Sequence, residues 1–349
     1  MAGRDDSQRL EKEILERISQ LAGLYEDGFR SEDDSDMFAD GERERIASLV
    51  RSANPGPLAD AAVKRVFLEI LSGAHAAAAP VTVAFLGPEG TQSHVAVKEL
   101  FGESIVSLPQ RTIQDVFCEV EKEAARYGVV PIENSTEGSV TYTLDELIET
   151  NLVIQAEQYV RITYSLLSRE KDPAAVRRVY SHPQPLGQCK GWIKANFPNA
   201  ETISVQSTAR AAEIAAGEEG AAAIATDLAA ELYDLNTLAT TIEDSRQNFT
   251  RFFVMGMKAG KPTGNDKTSI VCAVKDRPGA LLAMLKPFSD AGINMSKIES
   301  RPDKKKMWAY NFFIDFGGHI DDGIVQKALE LIKNETIFLK ILGSYPAGS

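Results

Sequence analysis

The chain reads as a multidomain protein: an all-α N-terminal domain, a central α/β domain and a C-terminal α+β domain of ferredoxin-like type. Three observations predict this. At 349 residues the chain exceeds what one hydrophobic core sustains. Its apolar spacing is helical as far as residue 79 and then switches, at VTVAFLGPEGTQSH, to strand, glycine turn and helix. Beyond residue 266 the patterns follow the order βαββαβ.

The first domain is assigned to residues 1–79. In RLEKEILERISQLAGLY, Leu10, Ile14, Leu15, Ile18 and Leu21 recur at helical spacing with charges between them, so an amphipathic helix is expected. SEDDSD at 31–36 breaks it, GERERIASLVRS forms a second helix, and NPGP at 54–57 stops that one. ADAAVKRVFLEILSGAHAAA supplies a third. Residues 1–46 hold fourteen acidic against seven basic residues, so more than half of the net charge of -12 lies here. A solvated acidic face accounts for it.

The central domain is assigned to residues 80–257. After the opening strand, further strands are expected at YGVVPIE (127–133), RRVYSH (177–182), ETISVQ (201–206), AAAIA (221–225) and FFVMG (252–256), with helices between most of them. KAGKPTGND (258–266) is a polar linker. Residues 267–347 form the third domain: TSIVCAV, PGALLAMLKPFSDAG, INMSKIESRP, MWAYNFFIDFGG, DDGIVQKALELIKN and TIFLKILGSYP.

Several function classes are argued against. No apolar run approaches eighteen residues, so no membrane helix is expected. MAGRDDSQRLEKE lacks a signal peptide's apolar stretch, which favours a cytoplasmic protein. The acidic balance opposes nucleic-acid binding, which begins with phosphate neutralisation. Cys118, Cys189 and Cys272 stand singly, without the CxxC pair of a zinc site or a disulfide framework.

Four stretches carry candidate chemistry. In GPEGTQSH (87–94), Gly87 and Gly90 permit close backbone approach, and Thr91 and Ser93 bring hydroxyls to a helix start that attracts anions. A capped turn would look the same, and the spacing is not the GxGxxG of a dinucleotide site. PIENSTEG (131–138) sets Glu133, Asn134, Ser135, Thr136 and Glu137 at the carboxyl end of a strand, where open α/β sheets bind ligands. SHPQPLGQC (181–189) offers Ser181, His182 and Gln188 in the same position. In NFTRFF (248–253), strand alternation sends Asn248 and Thr250 to one face and Arg251 to the other. That arginine suits a substrate carboxylate or an internal Asp or Glu.

GPEGT, VVPIENSTEG, SHPQPLGQC, STARAA, AAIA and RQNFTRF, in this order between residues 81 and 256, resemble the prephenate dehydratase family. The resemblance implies two α/β lobes like those of a periplasmic binding protein, with prephenate in the cleft and phenylpyruvate as product. It implies no metal and no organic cofactor, because aromatisation drives the loss of carbon dioxide and hydroxide. Thr250 is then the catalytic group beside the leaving hydroxyl, polarised by Glu133 or a bound water. Asn134, Ser181, Gln188, Asn248 and Arg251 would orient the substrate, with Thr91 and Ser93 as a further anion site.

RPGAL (277–281) and ESRP (299–302) are similar to the signatures of the ACT regulatory domain. The likeness implies phenylalanine as an inhibitor held by Gly279, Ala280, Leu281, Glu299, Ser300 and Arg301 between two such domains, hence a homodimer or homotetramer. A ferredoxin-like domain used only for dimerisation is the alternative. The N-terminal helices resemble a chorismate mutase in part: Arg4, Asp40, Arg43 and Glu44 fit its signature. Leu21 stands where an arginine is expected, Ser31 or Glu32 where a lysine is, Ala74 for a hydroxyl residue and Ala78 for a glutamine. Chorismate as a second substrate is therefore in question. An amino-acid-sensing binding protein without catalysis is the competing reading for the whole chain, and Thr250 discriminates, since a binding cleft needs no such hydroxyl.

Overall fold

The computed structural model describes residues 2–31, 38, 41–303 and 310–348. Asp40 lies outside the described residues, as does the side chain of Arg4. The N-terminal helices are α1 (Ala2–Ser31), α2 (Glu42–Ala53) and α3 (Asp60–Ala78). Ile46, Val50 and Leu71 form their core, with Tyr25, Phe29, Val63 and Phe67 packed against it. NPGP ends α2 through Asn54, whose amide binds the Leu58 carbonyl and Asp60 while its oxygen takes the Gly56 N–H. This helical unit is fastened to the central region. The Phe38 ring packs edge-on against Phe101 and Tyr127, and Glu69 and Ser72 accept the backbone N–H groups of Glu103 and Ser104.

The central region folds as two α/β lobes. The first comprises β1 (Thr82–Leu86), α4 (Gln92–Phe101), β2 (Val106–Gln110), α5 (Ile113–Glu121), β3 (Tyr127–Asn134), β4 (Gly138–Ser139), α6 (Thr141–Glu149) and β5 (Val153–Arg161). The second comprises β6 (Ser165–Ser168), β7 (Arg178–Ser181), α7 (Pro183–Gln188), α8 (Lys190–Asn196), β8 (Glu201–Ser204), α9 (Thr208–Gly217), β9 (Ala221–Ala225), α10 (Asp227–Leu232) and β10 (Asn236–Ala239). The chain then returns as β11 (Phe249–Gly256). The first sheet has the order β2-β1-β3-β11-β5, with β4 beside β3; the second is β10-β6-β9-β7-β8. β11 runs antiparallel between β3 and β5, so the last strand of the region closes the first lobe. The wholly buried AAAIA strand lets helices pack close to the second sheet.

The third region is β12 (Asp266–Val274), α11 (Ala280–Asp290), β13 (Met295–Pro302), β14 (Tyr310–Gly317), α12 (Gly323–Glu335) and β15 (Thr336–Pro346), in the antiparallel order β13-β14-β12-β15. Alternation divides β12 between two cores. Ile270 and Cys272 face the helices, with Met284, Phe288 and Ile332. Val271 faces the other way and joins Phe313, Leu342 and Tyr345 in one core with Ile154, Phe253 and Met255 of the first lobe. At Gly343 the backbone of Ile154 comes so close that an added Cβ would sit 2.3 Å from its oxygen. Glycine is what allows β15 to lie against β5.

Candidate active site

Both lobes turn the carboxyl ends of their parallel strands toward each other. β1 and β3 are parallel neighbours, so loop 87–91 and the turn after Asn134 leave the same edge of the first sheet. β7 and β9 are parallel in the second, and they end at Ser181 and just before Thr226. The Thr226 hydroxyl donates to the Gly90 carbonyl at 2.7 Å, which places the two edges face to face. The opposed edges border the space where sequence reasoning put the ligand.

Its chemical centre is built on β3 and β11, whose register sets Asn134 opposite Thr250. The Asn134 amide nitrogen donates to Thr250 Oγ1 at 2.9 Å and to Asn248 Oδ1 at 2.8 Å. Its oxygen accepts the N–H groups of Thr136 and Glu137 at 2.9 and 3.2 Å. Those two bonds fix the amide's orientation, so it is the nitrogen that faces Thr250. All three polar residues are buried. Because the Thr250 oxygen already accepts a hydrogen bond, its own proton is free for a group in the cleft, and the Asn134 N–H stabilises any negative charge left on that oxygen.

Two expected site residues are corrected by the pleat. Arg251 pairs in register with Glu133, and both point to the face opposite Thr250. Arg251 donates to Glu157 and Asp315 at 2.6 Å each and to the Tyr345 hydroxyl at 3.0 Å. Lys267 and Ser269 complete the cluster through Glu157 and Asp315. Burial alone would lower the guanidinium's pKa, but Tyr345, Asp315 and Glu157 hold it above its ordinary value. Arg251 therefore anchors the C-terminal domain and does not bind a substrate carboxylate. Glu133 pairs with Lys297 at 2.8 Å, so it does not polarise Thr250.

In the second lobe Ser181 is also corrected: it is fully buried and gives its proton to the Ile224 carbonyl at 2.7 Å, which ties β7 to β9. His182 caps α7 by accepting the Gln184 N–H. Gln188 differs. Both polar atoms of its side chain are buried without a hydrogen-bond partner, an arrangement that costs about 1–3 kcal/mol per group and that a ligand would relieve. Thr91 turns its hydroxyl back to the Pro88 carbonyl at 2.9 Å, so no side chain caps the start of α4; Ser93 is buried beside it.

In the C-terminal domain Gly279 takes φ 78° at the start of α11, followed by buried Ala280 and exposed Leu281. On β13 Ser300 faces solvent and Glu299 is half-buried. Arg301 is a correction: it forks onto Asp145 of α6 at 3.0 and 2.9 Å, facing the first lobe and not an effector. In the helical domain Arg43 lies over the Phe38 ring, 5.2 Å from its centroid, and burial raises the Glu44 carboxyl's pKa. Leu21 lines an apolar groove with Val66, Phe67 and Ile70. Sequence reasoning missed Asp145, Glu157, Thr226 and Lys297, each a lone polar residue whose partner is distant in the chain.

The family model for prephenate dehydratase matches residues 83–260 and that for the ACT domain residues 268–330. The bifunctional chorismate mutase/prephenate dehydratase of Aquifex aeolicus is 44% identical over 98% of this chain and 96% of its own. Among solved structures, a prephenate dehydratase from Arthrobacter aurescens in complex with L-Phe is 35% identical with a TM-score of 0.70, over 76% of this chain and 90% of that one. GqqA, described as a novel type of quorum quenching acylases, is 30% identical with a TM-score of 0.70, over 76% of this chain and 98% of that one.

Proposed function

The chain belongs to the bifunctional chorismate mutase/prephenate dehydratase family, and from that premise we propose how its cleft works. The central unit is a prephenate dehydratase, converting prephenate to phenylpyruvate, carbon dioxide and water. The ring carboxylate leaves as carbon dioxide, its bonding electrons enter the ring, and the ring hydroxyl departs at the opposite carbon. That hydroxyl needs a proton. Thr250 donates it and takes a proton back from solvent, and the bond from Asn134 to the Thr250 oxygen, the observation that carries this reading, stabilises the oxygen as the proton moves. Gln188, Asn248 and the uncapped start of α4 with Ser93 hold the carboxylates and the ring.

Thr250→Ala is expected to lower turnover of prephenate, followed by phenylpyruvate absorbance, at least about a hundredfold while the circular dichroism spectrum stays unchanged. Near-normal turnover would remove Thr250 from this role. The acylase reaction described for GqqA finds no nucleophile–base pair in the cleft's adjacent Ser181 and His182, since Ser181 donates to a backbone carbonyl and His182 accepts from a backbone N–H.

The ACT match and the L-Phe complex of the Arthrobacter relative support phenylalanine as an inhibitor, bound near Gly279, Ala280, Leu281, Glu299 and Ser300. A homodimer or homotetramer in the cytoplasm is proposed with it. Leu21 in an apolar groove supports a mutase of weak or lost activity.

A further inference from the structure

One residue, Gly90, is held through its backbone from both lobes. Its carbonyl accepts the Thr226 hydroxyl of the second lobe at 2.7 Å. Its N–H donates to His94 Nδ1 of the first lobe at 3.1 Å. Both gripping residues are buried, Thr226 at 3% exposure and His94 at 2%, where a hydrogen bond meets no competition from water. The His94 ring stacks on Phe85 with an interplanar angle of 11°, and its Nε2 lies 3.3 Å from Ser107 Oγ. Since Nδ1 accepts, Nε2 carries the proton and Ser107 receives it. Burial lowers the ring's pKa, which keeps it in the neutral form that can accept.

Packing brings the lobes together at the same point. Gly90 has φ 79°, and a Cβ there would sit 3.3 Å from the Ala229 Cβ and 3.4 Å from Leu232 Cδ1 of α10. A second link lies alongside: the Gln92 side chain donates to the Thr163 carbonyl, in the segment that crosses between lobes, at 3.1 Å. Thr226 serves α10 as well, accepting the Ala229 N–H at 3.2 Å.

We propose that the Gly90 backbone is the latch that closes the two lobes on each other, and that Thr226 and His94 are positioning residues for the dehydration. Loop 87–91 follows β1, which lies beside the strand that carries Asn134 to Thr250, while Thr226 follows β9, beside the strand that leads into Gln188. The Thr226–Gly90 bond therefore sets the distance between the proton donor on one lobe and the substrate-holding amide on the other. A loosened latch leaves prephenate bound by one lobe and admits water to the carboxylate that must be lost. The inference rests on the assignment of this cleft to prephenate.

The test separates the latch from the helix cap. Thr226→Ser keeps both bonds. Thr226→Asp keeps the cap, because a carboxylate accepts the Ala229 N–H, but it has no proton for the Gly90 carbonyl and repels it. In the full chain T226S is expected to hold kcat and KM for prephenate within about twofold, whereas T226D raises KM and lowers kcat/KM at least about tenfold. Small-angle scattering without substrate gives a reading independent of turnover, with a larger radius of gyration for T226D than for T226S. Equal kinetics and equal scattering in the two variants would overturn the latch. A wild-type chain inert toward prephenate, with the scattering difference intact, would overturn the substrate assignment and leave the latch standing.

Discussion

Arg251 draws three strands of two domains onto one guanidinium: Glu157 on β5, Asp315 on β14 and Tyr345 on β15. Its neighbour Thr250 faces the cleft. Alternation made their opposite directions legible in NFTRFF, but not the partners of the arginine, because Glu157 stands 94 residues away and no local pattern pairs residues at that range. The asparagine was legible for a different reason: it ends a strand in a polar loop, where ligands bind. Removing one member of a buried ion cluster leaves its carboxylates uncompensated, at a cost of about 3–5 kcal/mol. Arg251→Met is expected to lower the urea-unfolding free energy by that amount. Arg251→Lys restores a charge without the fork and recovers only part of it. A loss below about 1 kcal/mol for the methionine variant would show that Arg251 is not the anchor described.

At the scale of elements, several strands of the central region were not read. β5 escaped because VIQAEQYVR carries Gln155 and Glu157 into the joint with the C-terminal domain, so its buried face is not apolar. β2 contains Pro109 at the edge of its sheet, and β10 lies at the edge of the second. β11 begins at Phe249, three residues before the expected start, because Thr250 and Arg251 belong to the strand despite their polarity. β13 shows what such dual use does. Ser296, Ile298 and Ser300 are exposed, while Lys297 and Arg301 on the other side reach Glu133 and Asp145 of the first lobe. Lys297 thus holds the residue next to Asn134 from the regulatory domain. Lys297→Met is expected to leave turnover without effector within about twofold, since surface-near ion pairs contribute little to stability, but to weaken phenylalanine inhibition at least about fivefold by breaking this contact. An unchanged inhibition curve would exclude Lys297 from the coupling.

Across the whole molecule charge separates the two active-site candidates. Chorismate and prephenate are both dianions, and the chain's net charge is -12, so each site must gather its own cations and N–H donors against an unfavourable field. In the proposed dehydratase site the groups on offer are neutral: the Asn134, Asn248 and Gln188 amides and the uncapped start of α4. A chorismate mutase depends on cationic side chains, because its transition state is stabilised mainly by electrostatics. The first 46 residues carry more than half of the chain's net negative charge, and Leu21 lies in a groove with Val66, Phe67 and Ile70, whose charged members are Glu13, Glu16 and Arg17. Losing one transition-state donor costs about a hundredfold or more. Loss of chorismate absorbance catalysed by the full chain is therefore expected to run at least about a hundredfold slower, per enzyme, than its turnover of prephenate. Leu21→Arg is expected to raise the chorismate rate without altering the dehydratase rate, because α1 does not reach the cleft. A wild-type chain that consumes chorismate as fast as prephenate would show that other cations fill the place of Leu21, and the helical domain would then be a working mutase.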